Sequence, residues 1–231
     1  MTGTNTKPKA KISKGSIAAI IAVIISAVCV ILFVSITTIL SKPKGAEAIT
    51  PENPLLILVN NNSHIPDNYD IKLMELSNGE KIDERIYPDL QQMFDDMREQ
   101  NMKPFVREGY RTADDQKEIL VDKILDYIQN GCSPTKAYKL ARNTVAAVGN
   151  SEHQLGLAVD INPYSGSANE WNVYGWLEEH SWEYGFILRY PDGKAEITGI
   201  SYEPWHYRYV GHEAAKEIHE RGITLEEYLN K

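Results

Sequence analysis

Ser151-Glu152-His153-Gln154-Leu155-Gly156-Leu157-Ala158-Val159-Asp160 and, downstream, Glu203-Pro204-Trp205-His206 are the two stretches on which the reading of this chain turns. Together they offer two imidazoles, a carboxylate at Asp160, and a second carboxylate, Glu203, three residues before the last histidine. Zinc in hydrolases takes three protein ligands from the His, Asp and Glu set and keeps a fourth position for water. A carboxylate beside that water can take its proton and later pass it to a leaving amine. Gly156 permits a tight turn after His153, so that His153 and Asp160 can converge from a loop and a strand. Leu157 to Ile161 is expected as that strand, with Ala158 and Asp160 on one face and Val159 and Ile161 toward the core. Pro204 cannot donate a ladder bond and belongs at a strand's edge or first position, which sets Glu203 just outside the strand bearing His206.

Outward from these clusters the periodicities predict helices before strands. Leu90, Met93, Phe94 and Met97 follow helical spacing in a segment from Pro88 to Asn101, with proline in the first turn. Lys103 to Tyr110 reads as a strand. A second helix is expected from Ala113 to Gln129, capped by Thr112 with Asp114 and Asp115 in its first turn. A third is expected from Pro134 to Ala146, a fourth from Asn169 to His180, and a last from His212 to Arg221. Phe186 to Tyr190 and Trp205 to Val210 read as strands, the second with His206 and Arg208 on one face. Leu55 to Val59 is a buried strand or extended lead-in. The set gives an α+β fold, helices packed on a small antiparallel sheet.

The Ser-x-His-x6-Asp spacing followed by Glu-x-Trp-His resembles the signature of the VanY-type D,D-carboxypeptidases, a branch of the LAS zinc peptidases. The segment Glu108-Gly109-Tyr110-Arg111-Thr112 with Gln116 is similar to that family's Gly-Tyr-Arg-Ser-x-x-x-Gln, with Thr112 in place of Ser. The resemblance spans about Leu55 to Val210. It implies Zn2+ held by His153, Asp160 and His206, and Glu203 as general base and acid. It implies further that Arg111 meets the substrate or its developing oxyanion, and that Gln116 and Ser151 hold the terminal carboxylate. The implied reaction is removal of the C-terminal D-Ala from peptidoglycan stem pentapeptides. An L,D-carboxypeptidase acting on tetrapeptides, or a D,D-dipeptidase, would carry the same cluster. So would a zinc-bearing binding domain without turnover, such as the hedgehog signalling domain, although the presence of Glu203 speaks for catalysis. His212-Glu213-Ala214-Ala215-Lys216 begins like the helical zinc motif H-E-x-x-H, but Lys216 stands where the second histidine belongs. Trp182, Tyr184, Phe186 and Tyr190 match the family's aromatic run and read mainly as core.

The amino-terminal part is of another kind. No charged residue lies between Gly15 and Ser41, and the 24 residues from Ile17 to Leu40 are almost all apolar. As a helix they would extend about 36 Å, enough to cross a hydrocarbon core of about 30 Å. Signal-peptide apolar regions run to about 15 residues, so this length reads as an uncleaved anchor, even though Ala46-Glu47-Ala48 resembles a cleavage site. Lys7, Lys9, Lys11 and Lys14 precede the stretch and only Lys42 and Lys44 follow it closely. By the positive-inside rule the amino terminus then stays in the cytoplasm. The organisation expected is a cytoplasmic tail over 1–15, a transmembrane anchor over 16–41, a linker over 42–54, and an exported zinc domain over 55–231. The chain would sit as a single-pass protein of the cell membrane with its catalytic domain on the wall side. Beyond residue 44 there remain 18 Lys+Arg against 32 Asp+Glu, a net charge of −14, which argues against nucleic acid as a partner. Cys132 is the sole cysteine of that part, so no disulfide forms within it. Nothing in the sequence sets an oligomeric state.

Overall fold

The pairing register of the central sheet assembles the site. A computed structural model describes residues 46–47, 52–164 and 170–230. The expected tail and anchor, and most of the linker, lie outside the described residues. Among the described residues no helix is long and apolar enough to cross a membrane. Lys42 to Lys231 make one compact unit.

A two-residue strand, Ala46–Glu47, pairs in parallel with Ser63–His64; between them a 3-10 turn at Pro54–Leu56 leads to Ile57 and Val59, which are buried in the core. A hairpin of β1 (Leu73–Glu75) and β2 (Lys81–Asp83) follows. Helix α1 (Tyr87–Glu99) buries Leu90, Met93, Phe94 and Met97, the predicted stripe. Each such side chain contributes about 1.5–3 kcal/mol when fully buried. Strand β3 (Pro104–Glu108) leads to α2 (Ala113–Gln129), whose capping box joins Thr112 and Asp115 reciprocally. Helix α3 (Pro134–Ala141) stops five residues before the predicted end. The chain turns at Arg142 to Thr144, and the bend delivers the Ala146 carbonyl to the Gln116 amide at 2.9 Å.

Strand β4 (Ala158–Pro163), helix α4 (Glu170–His180) and strand β5 (Phe186–Leu188) come next. A one-turn helix α5 (Ala195–Thr198) precedes strand β6 (His206–Tyr209). Helices α6 (His212–Arg221) and α7 (Leu225–Leu229) close the chain. The central sheet has the order β3-β4-β6-β5, antiparallel throughout. The α+β class stands. The sequence reading missed the β1–β2 hairpin, α5 and α7, all too short to show a period.

The β4–β6 register sets Asp160 directly opposite His206. On the other side of β4, a bulge between Val106 and Glu108 places Glu108 opposite Asp160. Bulges of this kind re-aim the residues that follow them, here the run that ends in Arg111. Tyr207 and Tyr209 point away from His206 into the core with Phe186 and Leu157.

Candidate active site

His153 sits in the 3-10 turn Glu152–Leu155, which ends at Gly156 with φ of 68°. A Cβ there would lie 2.4 Å from Ile71 Cδ1 and 3.1 Å from the Asp83 amide nitrogen, so the turn needs glycine for both reasons. Gly109 is required by close approach alone, since its Cβ would lie 2.2 Å from the Lys81 carbonyl oxygen. That close-packed loop matters, because His153 Nδ1 donates to the Gly109 carbonyl at 2.7 Å. A carbonyl only accepts, so the proton is on Nδ1 and Nε2 is left bare to ligate.

His153 Nε2 lies 3.3 Å from Asp160 Oδ1, and His206 Nδ1 lies 3.0 Å from the same oxygen. One donor atom from each of the three residues lies within 4.8 Å of the others. Asp160 Oδ1 is buried and makes no well-aligned hydrogen bond. Two imidazoles and one carboxylate with converging donor atoms fit a tetrahedral zinc ion with one open position. Burial, with Arg111 next to it, pushes the pKa of His153 down, toward the neutral form that binds metal. For His206 burial acts downward too, but the Asp160 and Glu152 carboxylates outweigh it and raise the pKa to about 9. A metal ion would displace that proton.

Glu203 lies three residues before β6, across a turn at Pro204 and Trp205, its amide donating to the Tyr190 carbonyl at 3.1 Å. Its side chain is 12% exposed, with Oε2 3.9 Å from His206 Nδ1. Burial raises its pKa to about 7, with His206 and Arg111 opposing and Asp160 adding to the rise. A general base works best with its pKa near the working pH.

Arg111 is half-buried over this cluster. Its Nε donates to Glu108 at 3.0 Å and its Nη1 to Gln116 Oε1 at 3.3 Å, while Nη2 stands 3.7 Å from Asp160 Oδ2. Gln116 is fully buried, its amide committed to Arg111 and Ala146. The structure places it behind Arg111 and not on the cavity wall. Ser151, His153, Asp160, Glu203, His206 and Arg111 line one cavity of about 430 Å³, with Tyr190 and Trp205 among its other walls. Of the aromatic run only Tyr190 reaches it, its ring 4.8 Å from that of His206. His212 is occupied by Glu183 and Asp89, and His219 stacks on Trp182, so the decoy motif assembles nothing.

One feature behind the site has no counterpart in the sequence reading. Glu152, Arg189, Arg208 and Glu226 form a buried cluster of four charges. Burial opposes ionisation of Glu152, but Arg189 and then Arg208 overcome it and hold the carboxyl well below its usual range. Glu152 is at least 37 residues from either arginine, so no local pattern announces the pairing.

A histidine from a 3-10 turn with an aspartate and a histidine from adjacent antiparallel strands, beside the half-buried Glu203, has the donor set and the neighbouring base of a zinc-dependent hydrolase. The comparisons refine that class. The family profile "VanY: D-alanyl-D-alanine carboxypeptidase" matches residues 79–212. A D-alanyl-D-alanine carboxypeptidase of Enterococcus faecalis is 53% identical over 175 residues, which cover 76% of this chain and 65% of that protein, just under two thirds. Among solved structures, a mutant of the vancomycin resistance D,D-pentapeptidase VanY in complex with Zn(II) is similar at a TM-score of 0.74 and 52% identity. It covers 76% of this chain and 98% of its own. VanYB in complex with D-alanine-D-alanine gives 0.75 and 52%, over 76% and 97% of the two chains. This chain belongs to the VanY family of D-alanyl-D-alanine carboxypeptidases.

Proposed function

We propose that this protein removes the C-terminal D-Ala from peptidoglycan stem pentapeptides, held at the outer face of the cell membrane by residues 16–41. The observation that carries the reading is the convergence of His153 Nε2, Asp160 Oδ1 and His206 Nδ1 beside the half-buried carboxylate of Glu203, in one cavity. His153, Asp160 and His206 would hold the zinc. When bound, zinc supplies Lewis acidity toward a carbonyl oxygen and brings the pKa of a water to about 7. Glu203 takes the proton from the attacking water and returns it to the departing D-Ala nitrogen, which its pKa near 7 suits in both directions. Arg111, fixed by Glu108 and Gln116, presents a planar cation to the charge that develops on the scissile carbonyl oxygen. Ser151 offers a hydroxyl on the cavity wall to the substrate's terminal carboxylate. Gln116 serves by holding Arg111. The VanYB complex with D-alanine-D-alanine supports the D,D preference at 52% identity.

Mass spectrometry of stem peptides incubated with the full-length chain and zinc tests the reading. Loss of a single D-Ala from pentapeptide, with tetrapeptide left intact, is expected. Preference for tetrapeptide would move the protein to the L,D class, and zinc binding without turnover would make it a binding domain. For the anchor, the 24-residue apolar stretch is the support. Membrane fractions resistant to alkaline extraction should contain the chain, and recovery in the soluble fraction would refute it.

A further inference from the structure

Glu152 is a buried carboxylate with one oxygen occupied and the other waiting. Its Oε1 accepts from Arg189 Nε at 2.8 Å and from Arg208 Nη1 at 2.7 Å. Its Oε2 is buried with no hydrogen-bond partner, and so is His206 Nε2. These two atoms face each other at 3.8 Å, just beyond hydrogen-bond length. Buried polar atoms are normally paired, and an orphan asks for an explanation. The ring orientation supplies it. His206 turns Nδ1 to Asp160 and the cavity, and an imidazole that gives Nδ1 to a metal carries its proton on Nε2. That N–H then points at the one free oxygen of Glu152.

We propose that Glu152 is a positioning residue for the metal site, accepting a hydrogen bond from His206 Nε2–H and so fixing that ligand's tautomer and ring plane. The proposal rests on His206 being a zinc ligand. The arginines hold the acceptor in place and are themselves held. Arg189 forks onto Glu226 at 2.9 and 2.7 Å, and Arg208 Nη2 donates to the carbonyls of Leu55 and Ile57 at 2.9 and 3.0 Å. Asn60 donates to Glu226 at 3.2 Å. Two carboxylates therefore balance two guanidiniums, and α7 and the lead-in to the domain brace a ligand they never touch. Outer partners of this kind tune metal affinity as well as orientation.

Zinc affinity of the full-length chain, measured by chelator competition, tests this without recourse to turnover. In Glu152→Asp the charge stays between the arginines but is one methylene short of His206. In Glu152→Gln, if the amide oxygen keeps both arginines, the amide N–H groups confront His206 Nε2–H. Both should bind zinc about 10–100-fold more weakly. Glu226→Gln loosens Arg189 from the far side and leaves Glu152 Oε2 untouched. It should lower the melting temperature of the metal-free chain and leave zinc affinity unchanged. Unchanged affinity in folded Glu152 variants would overturn the proposal, as would an equal weakening in Glu226→Gln. Should the Glu152 variants fail to fold, nitrogen-labelled histidine NMR of the zinc-loaded parent decides instead. His206 should show a protonated Nε2 whose proton is protected from exchange, and a freely exchanging proton would overturn the assignment. A parent chain that takes up no zinc would defeat the peptidase reading itself, a separate result.

Discussion

Replacing Glu203 by glutamine separates catalysis from stability. The substitution keeps shape and removes only the ionisable proton site. Acid–base catalysis by one positioned group contributes about 10²–10⁴-fold, so kcat should fall by that factor. Zinc should be retained, because Glu203 accepts a proton and is not one of the three ligands. The stability of the metal-free protein should move the other way. Burial raises the Glu203 pKa from 4.5 to about 7, so the folded chain holds this proton more tightly than the unfolded chain does. Stability from this group is therefore lost as pH climbs from about 4.5 to about 7, and the loss is complete above that. At about 1.4 kcal/mol per pH unit the displacement amounts to about 3 kcal/mol. The side chain is only 12% exposed, which leaves little screening to subtract. Thermal melts of chelated parent and Glu203→Gln should differ at pH 8, the variant being more stable by up to about 3 kcal/mol, and should converge near pH 4.5. For a chain of this size each kcal/mol is worth about 2–4 °C. A difference independent of pH, or a variant less stable at pH 8, would refute the argument from burial. Loss of zinc along with activity would make Glu203 a ligand.

Three further outcomes bear on the same site. His206→Ala should lose both zinc and turnover, because only three protein ligands are present to begin with; normal occupancy by metal analysis would refute the ligand set. Arg111→Lys keeps the charge and loses the planar fork, so steady-state kinetics should show kcat and kcat/KM falling together. A rise in KM alone would assign Arg111 to the substrate's terminal carboxylate instead. Gly156→Ala should destabilise the fold by about 1–3 kcal/mol from the left-handed backbone alone, with the 2.4 Å approach to Ile71 adding to it. A melting temperature equal to the parent's would show that the turn tolerates a side chain.

How much of this was legible depends on how far apart in sequence the cause and its effect lie. The α1 stripe, the Thr112 cap and the start and stop of α6 are written within a few residues, and the structure places them as read. The convergence of the three candidate ligands was legible for a related reason. His153 and Asp160 are fixed by one glycine turn and one strand, and Asp160 meets His206 because β4 and β6 are direct neighbours. The end of α3 was not legible, since its last turn gives way to a bend whose purpose is a contact with Gln116, 30 residues earlier. The family resemblance implies a substrate contact for Gln116, and nothing local announces its burial or its bonds to Arg111 and Ala146. The cluster of Glu152, Arg189, Arg208 and Glu226 is the extreme case. In sequence each is an ordinary charged residue, and an isolated charge is expected at the surface. Only the sheet and the closing helix bring the four together, and only burial gives the pairing its strength, since a charge removed from water must find a partner or neutralise. The site's inner face can therefore be read as chemistry from a motif, whereas its outer support exists only once the chain has folded. Substitutions that spare the motif but break that support should be the ones that sequence comparison of the two clusters alone would pass as harmless.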